Sequence, residues 1–156
     1  ESASQRILDE VYHKRVTIEQ VRYAINAAKR IGLNVQGYFM LGAPSETLDE
    51  VCRTINMACE LPLDDATFSI TTPLPGTTLY DMTREMIRPG TTDYDYYSTP
   101  VFETPKVLSA STLKKLKRHA YLAFYSSPAR WRNVWRHIVL AGNPRKVLSK
   151  VTRFMS

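Results

Sequence analysis

Few residues of this chain have both the type and the spacing for chemistry. Gly42-Ala43-Pro44 follows an apolar run and is followed by Glu46. A glycine there lets the backbone approach a planar group closely, which suits a nucleotide, but the same residues also suit a plain strand-to-helix turn. Glu46 stands where an acidic side chain favours a helix N-terminus. Ser69 and Thr71 alternate on one face of a short strand pattern and present hydroxyls together. His13, His119 and His137 form no ligand constellation, and no Ser-His-Asp or zinc pattern is present. Cys52 and Cys59 lie seven residues apart on a helix-patterned stretch, so they share a face, as small semi-buried residues do.

The elements that must position these groups are readable from period and caps. Ser4 to Tyr12 has the pattern of a short helix, with Ile7, Leu8 and Val11 on one face. Thr17-Ile18-Glu19-Gln20 is a capping box opening a helix to Ile31, and Gly32 sits at its C-cap. Asn34 to Leu41 reads as a strand. Thr47-Leu48-Asp49-Glu50 is a second capping box, opening a helix to about Glu60 that Leu61-Pro62 stops. Ala66 to Thr71 is the next strand, with Ala66, Phe68 and Ile70 on one face, and Thr78 to Met86 is a short helix. This alternation predicts an α/β fold with two parallel strands joined by a right-handed crossover. Residues 87–108, with Tyr94, Tyr96 and Tyr97, hold no period and read as an irregular loop. Residues 109–156 read as three helices. The first runs from Ser111 to Tyr125; the others begin at Ser127-Pro128 and Asn143-Pro144.

Composition sets the outer bounds. The 156 residues are 44% hydrophobic and 23% charged, an ordinary globular balance. No apolar run approaches the roughly 20 residues of a membrane-spanning helix. Two cysteines are too few for a disulfide scaffold. The net charge of +6 hides a split. Residues 106–156 carry twelve Lys and Arg and no Asp or Glu, whereas residues 1–105 sum to −6. The basic part reads as a helical cap with a solvated face, as a peripheral membrane contact through Trp131, Trp135 and Phe154, or as a nucleic-acid contact. A two-stranded parallel sheet is not stable alone, because such sheets need neighbours. The start at Glu1-Ser2-Ala3-Ser4, without Met or a signal-peptide pattern, likewise points to a piece of a longer protein.

Three stretches carry a resemblance. Glu1-Ser2-Ala3-Ser4-Gln5-Arg6-Ile7-Leu8 resembles the exit of the fourth strand of radical S-adenosylmethionine (radical SAM) enzymes, with Ala3 where a Gly is usual. Gly37-Tyr38-Phe39-Met40-Leu41-Gly42-Ala43-Pro44-Ser45-Glu46-Thr47 resembles their fifth strand and its glycine-rich exit. Phe68-Ser69-Ile70-Thr71-Thr72-Pro73-Leu74-Pro75-Gly76-Thr77 resembles the sixth strand and its exit. Order and spacing agree over residues 1–80, and more loosely over 110–130, where Ala123 to Pro128 is similar to tails of the cobalamin-binding branch.

The resemblance implies that residues 1–86 are the last β/α units of a parallel radical SAM partial barrel. Residues 87–108 would be a linker and 109–156 a basic helical extension. It implies a cytoplasmic or membrane-peripheral enzyme that reductively cleaves S-adenosylmethionine (SAM) to methylate, cyclise or otherwise modify an unreactive C–H position. SAM, a four-iron four-sulfur cluster and, in that branch, cobalamin would be its cofactors. The cluster's Cys-x3-Cys-x2-Cys loop does not occur in this chain, so its ligands, and any cobalamin domain, would lie outside it and the piece alone would be inactive. By the same resemblance Glu1, Ser2, Lys14, Met40, Gly42 and Ile70 would contact SAM, with Arg15 as the neighbour to Lys14. Backbone groups near Gly42 would read the adenine edge, and Ser69 and Thr71 would line the substrate cavity. The competing expectation is a non-catalytic α/β module whose basic helices dock to a membrane surface or nucleic acid.

Overall fold

In the computed structural model the residues described are 1–87, 108–128 and 130. The expected linker and the second and third basic helices, with Trp131, Trp135 and Phe154, lie outside them.

Both capping boxes form. In α1 (Ile18–Arg30) the Thr17 hydroxyl accepts from the Gln20 N–H, and the Gln20 side chain accepts from the Thr17 N–H. In α2 (Leu48–Glu60) Thr47 and Glu50 do the same. Each box satisfies two of the N–H groups that a helix start leaves without partners.

Strands β1 (Gln36–Leu41) and β2 (Asp65–Ile70) are parallel and in register from Gln36↔Asp65 to Leu41↔Ile70. α2 is the crossover between them. Phe39, Leu41, Ala66, Phe68 and Ile70 pack with α2's Val51, Ile55 and Ala58 in the main core. The alternate residues, Gln36, Tyr38 and Met40 on β1 and Thr67 and Ser69 on β2, project from the other face. Met40 N–H donates to the Glu1 carbonyl at 2.9 Å, so the first residue flanks β1 on the edge away from β2.

The outer edge of β2 is covered by α4 (Ala110–Tyr125). The Tyr121 hydroxyl accepts from Phe68 N–H at 3.1 Å and lies 3.4 Å from the Phe68 carbonyl. Tyr125 donates to the Asp65 carboxylate and sits 3.4 Å from the Ala66 carbonyl. Two phenols one helical turn apart thus stand in for part of a neighbouring strand. α4 buries Leu113, Ala120, Tyr121 and Phe124 and exposes Lys114, Lys115 and Arg118. Arg130 joins the ends of α2 and α4: its guanidinium lies 3.9 Å from the Phe124 ring centre and donates to the carbonyls of Phe124 and Cys59.

Two expectations change. The Ser4–Tyr12 stretch ends not as an α-helix but as a π-helical turn, Ile7–Val11, followed by His13 at φ +51°. The turn buries Ile7, Leu8 and Val11 together. The Thr78–Met86 helix divides into α3 (Thr78–Thr83) and a 3-10 turn, Arg84–Met86.

Candidate functional site at the strand ends

The exit of β1 is a tight turn. Glu46 N–H donates to the Ala43 carbonyl at 3.0 Å, Pro44 occupies the second position, and Ser45 takes φ +64° at the third. This is a type II arrangement, whose third position favours glycine. Gly42 itself has φ +81°, and a Cβ there would lie 2.6 Å from Leu113 Cδ2 of α4. The glycine is therefore required by backbone conformation and by the close approach of α4.

Glu46 folds back over this turn and is 1% exposed. Its Oε2 accepts from the N–H groups of Gly42 (2.7 Å) and Ala43 (2.9 Å). Its Oε1 has no hydrogen-bond partner among the described residues. Burial pushes the carboxyl up to about 7, against the pull of the two N–H donors. The N–H groups expected to read an adenine edge at Gly42 and Ala43 are thus committed to Glu46.

A second carboxylate organises the helix-covered side. Glu50 accepts from the Ser4 hydroxyl (2.6 Å), from Arg6 Nε (3.1 Å) and Nη2 (2.8 Å), and from Thr47 N–H (2.8 Å). Burial alone would raise its pKa, but these donors hold it down to about 2. Arg6 also reaches Ser45, through its hydroxyl at 3.1 Å and its carbonyl at 3.0 Å. Ser2 is 3% exposed and belongs to this side. Its hydroxyl accepts from Ser4 N–H at 3.1 Å and lies 3.4 Å from that of Thr54.

The remaining candidates divide between the two faces. Lys14 Nζ lies 3.2 Å from Glu1 Oε1, and both side chains are partly exposed. Met40 and Ser69 are register partners on the face away from the core, and both are half-buried. Thr71 continues that face; its N–H donates to the Leu41 carbonyl at 2.9 Å. Ile70, by contrast, is 1% exposed and packs in the main core beside Phe68 and Leu41. Arg15 is exposed.

Tyr12 is the residue that sequence reasoning missed. Its hydroxyl shares a 2.8 Å hydrogen bond with Thr71, and its ring packs against the cluster of Ile7, Val11 and Ala43. Burial pushes its phenol pKa up. In the sequence Tyr12 ends the Ser4–Tyr12 helix pattern, off its apolar face, and no local signal links it to Thr71, 59 residues away.

The ends of three adjacent chain segments therefore bring Glu1, Lys14, Met40 and Ser69 together, with Tyr12 beside them hydrogen-bonded to the buried Thr71. The Glu1–Lys14 pair is the complement of an amino-acid group, since an ammonium can replace Lys14 on the carboxylate and a carboxylate can replace Glu1 on the amine. Among the described residues no group of three His, Cys, Asp or Glu could hold a metal ion. No described helix is long and apolar enough to cross a membrane.

No family model matches the chain. It is 40% identical over 130 residues, 82% of its length, to an uncharacterized methyltransferase of Pyrococcus horikoshii. It is 30% identical over 138 residues to an anaerobic magnesium-protoporphyrin IX monomethyl ester cyclase of Cereibacter sphaeroides. A cytidylyl-2-hydroxyethylphosphonate methyltransferase of Streptomyces wedmorensis is 30% identical over 99 residues. The relatives are enzymes. Their named activities, methyl transfer and cyclisation, lie within the range that the radical SAM resemblance implies. The chain spans 28% of the first of these proteins and 22% of the second, about a quarter of their length.

Proposed function

We propose that this chain is the SAM-side portion of a radical SAM enzyme of the cobalamin-binding branch, one that methylates or cyclises at an unreactive C–H position. The observation that carries this reading is the similarity to a methyltransferase over 82% of the chain, together with a matched carboxylate–ammonium pair at the strand ends. When bound in the complete enzyme, SAM and the cluster would supply a 5′-deoxyadenosyl radical. The residues described here do not fit the cluster. Cys52 is exposed on α2, and Cys59 is half-buried with its thiol pKa pushed up by burial, the reverse of what a thiolate ligand requires.

What this chain's own residues would do is position the ligand. Glu1 would take the methionyl ammonium and Lys14 the methionyl carboxylate, each exchanging its present partner. Met40 would give apolar cover beside the strand end, and Ser69 would offer a hydroxyl on the same face; Thr71 is fully buried, with its hydroxyl bonded to Tyr12, and is not a ligand contact. Ser2, Gly42 and Ile70 support that surface from behind. Ser2 does so through Thr54, Gly42 by admitting Leu113, and Ile70 by packing in the core.

SAM binding by the anaerobically reconstituted full-length protein tests the reading. Glu1→Gln and Lys14→Ala should each weaken it about tenfold, the value of one charge-assisted hydrogen bond. Unchanged affinity in both variants would remove this pair from the site.

A further inference from the structure

The chain segment 12–14 crosses the ends of the sheet and is tied down at both sides. On one side Tyr12 OH meets Thr71 Oγ1, just past β2. On the other, Lys14 Nζ meets the Glu1 carboxylate, on the far edge of β1. Between these ties the Tyr12 ring rests against the cluster that contains Ala43, at the exit of β1. His13, the link between the two anchors, turns the chain through the left-handed region at φ +51°, which His adopts more readily than most non-glycine residues. The segment emerges from the π-helical turn Ile7–Val11, with Lys14 N–H donating to the Leu8 carbonyl at 2.8 Å. A segment anchored at two ends and laid across the exits of β1 and β2 can move off the sheet only by releasing those anchors.

We propose that Tyr12-His13-Lys14 is a latch across the strand ends, closed by the Tyr12–Thr71 hydrogen bond and the Glu1–Lys14 pair, and that it must open to admit a nucleoside-bearing ligand. The inference rests on the SAM reading for the ligand's identity. The ligand's own amino-acid group would compete for Glu1 and Lys14 and so release one anchor. The other anchor carries no charge and has to open before or during entry. Tyr12 and Thr71 act through the position of the segment and are positioning residues.

The test is stopped-flow binding of S-adenosylhomocysteine to the full-length protein. A closed state that excludes ligand lowers the apparent association rate by the fraction of molecules that are open. Losing one buried neutral hydrogen bond should raise that fraction, and the association rate constant, about threefold to tenfold. Tyr12→Phe keeps the ring packing and Thr71→Val keeps the shape, so each should give this acceleration with dissociation unchanged. The double variant should be no faster than either single variant, because both remove one bond. Thr71→Ser keeps the hydroxyl and should behave as wild type. Thermal melting checks each variant's fold, and Thr71→Val reports the same bond if Tyr12→Phe fails to fold. An unchanged association rate, a rise in dissociation instead, or additive effects in the double variant would overturn the latch while leaving the SAM reading in place. Absence of any binding by wild type would overturn both.

Discussion

The two sides of the sheet's C-terminal end treat charge in opposite ways. On the helix-covered side, the Glu50 carboxylate is nearly buried and has donors from Ser4, Arg6 and Thr47 on both oxygens. On the other side, Glu1 and Lys14 are joined by one ion pair among the described residues and are 33% and 48% exposed. A buried carboxylate with every lone pair engaged cannot change partners without a large cost. A half-exposed pair with one contact costs little to separate, because water screens it. The first arrangement fixes the frame, and the second leaves two charges available to a ligand. Glu46 lies between these extremes, with one oxygen held by two N–H groups and the other without a partner among the described residues.

The sharpest break in this comparison is Glu50→Ala. It strands the Arg6, Ser4 and Thr47 donors in a mostly buried site and should lower stability by about 3 kcal/mol in urea unfolding. Gly42→Ala should cost about 2 kcal/mol, because the left-handed φ and the contact with Leu113 both oppose a Cβ.

The pH dependence separates the two buried carboxylates. Glu46 is raised in the folded state, so its contribution is fully present below about 4.5 and is lost as pH rises through about 7. Glu50 is depressed, so its contribution is present above about 4.5 and is lost as pH falls toward about 2. Stability should therefore peak near pH 4.5, decline between about pH 4.5 and 7, and level off above that. Glu46→Gln should flatten the decline between about pH 4.5 and 7, worth about 3 kcal/mol. A decline between about pH 4.5 and 7 that is unchanged in that variant would contradict the assignment.

Smaller effects sharpen the contrast. Ser45→Gly relieves the φ of +64° but loses the Arg6–Ser45 hydroxyl contact, and should stabilise by about 0.5 kcal/mol. Lys14→Ala should change stability by less than about 0.5 kcal/mol while weakening SAM binding. A large stability loss in Lys14→Ala would place the pair in the frame.

Much of the frame is legible in the sequence because its signals are local. Thr17 with Gln20 and Thr47 with Glu50 announce two helix starts three residues apart, and both form. The alternation of Ala66, Phe68 and Ile70 puts them on one face of β2, and the structure buries that face, so Ile70 sits in the core, whereas the resemblance places it against SAM. The spacing of Leu113, Ala120 and Phe124 gives the inner face of α4. The site is less legible because its contacts are long-range. Arg6 meets Glu50 across 44 residues, Ser2 approaches Thr54 across 52, and Tyr12 meets Thr71 across 59. No periodicity encodes such pairings. The π-helical turn has no local signal either, because the spacing of Ile7, Leu8 and Val11 also fits an α-helix.

The most direct test of the enzymatic reading is product analysis. The full-length protein, reconstituted anaerobically with iron and sulfide and given a strong one-electron reductant, is incubated with SAM. Formation of 5′-deoxyadenosine, diminished in Lys14→Ala in step with weaker SAM binding, is the predicted result. A reconstituted, reduced protein that leaves SAM intact, or converts it only to S-adenosylhomocysteine, would contradict radical SAM chemistry for this chain.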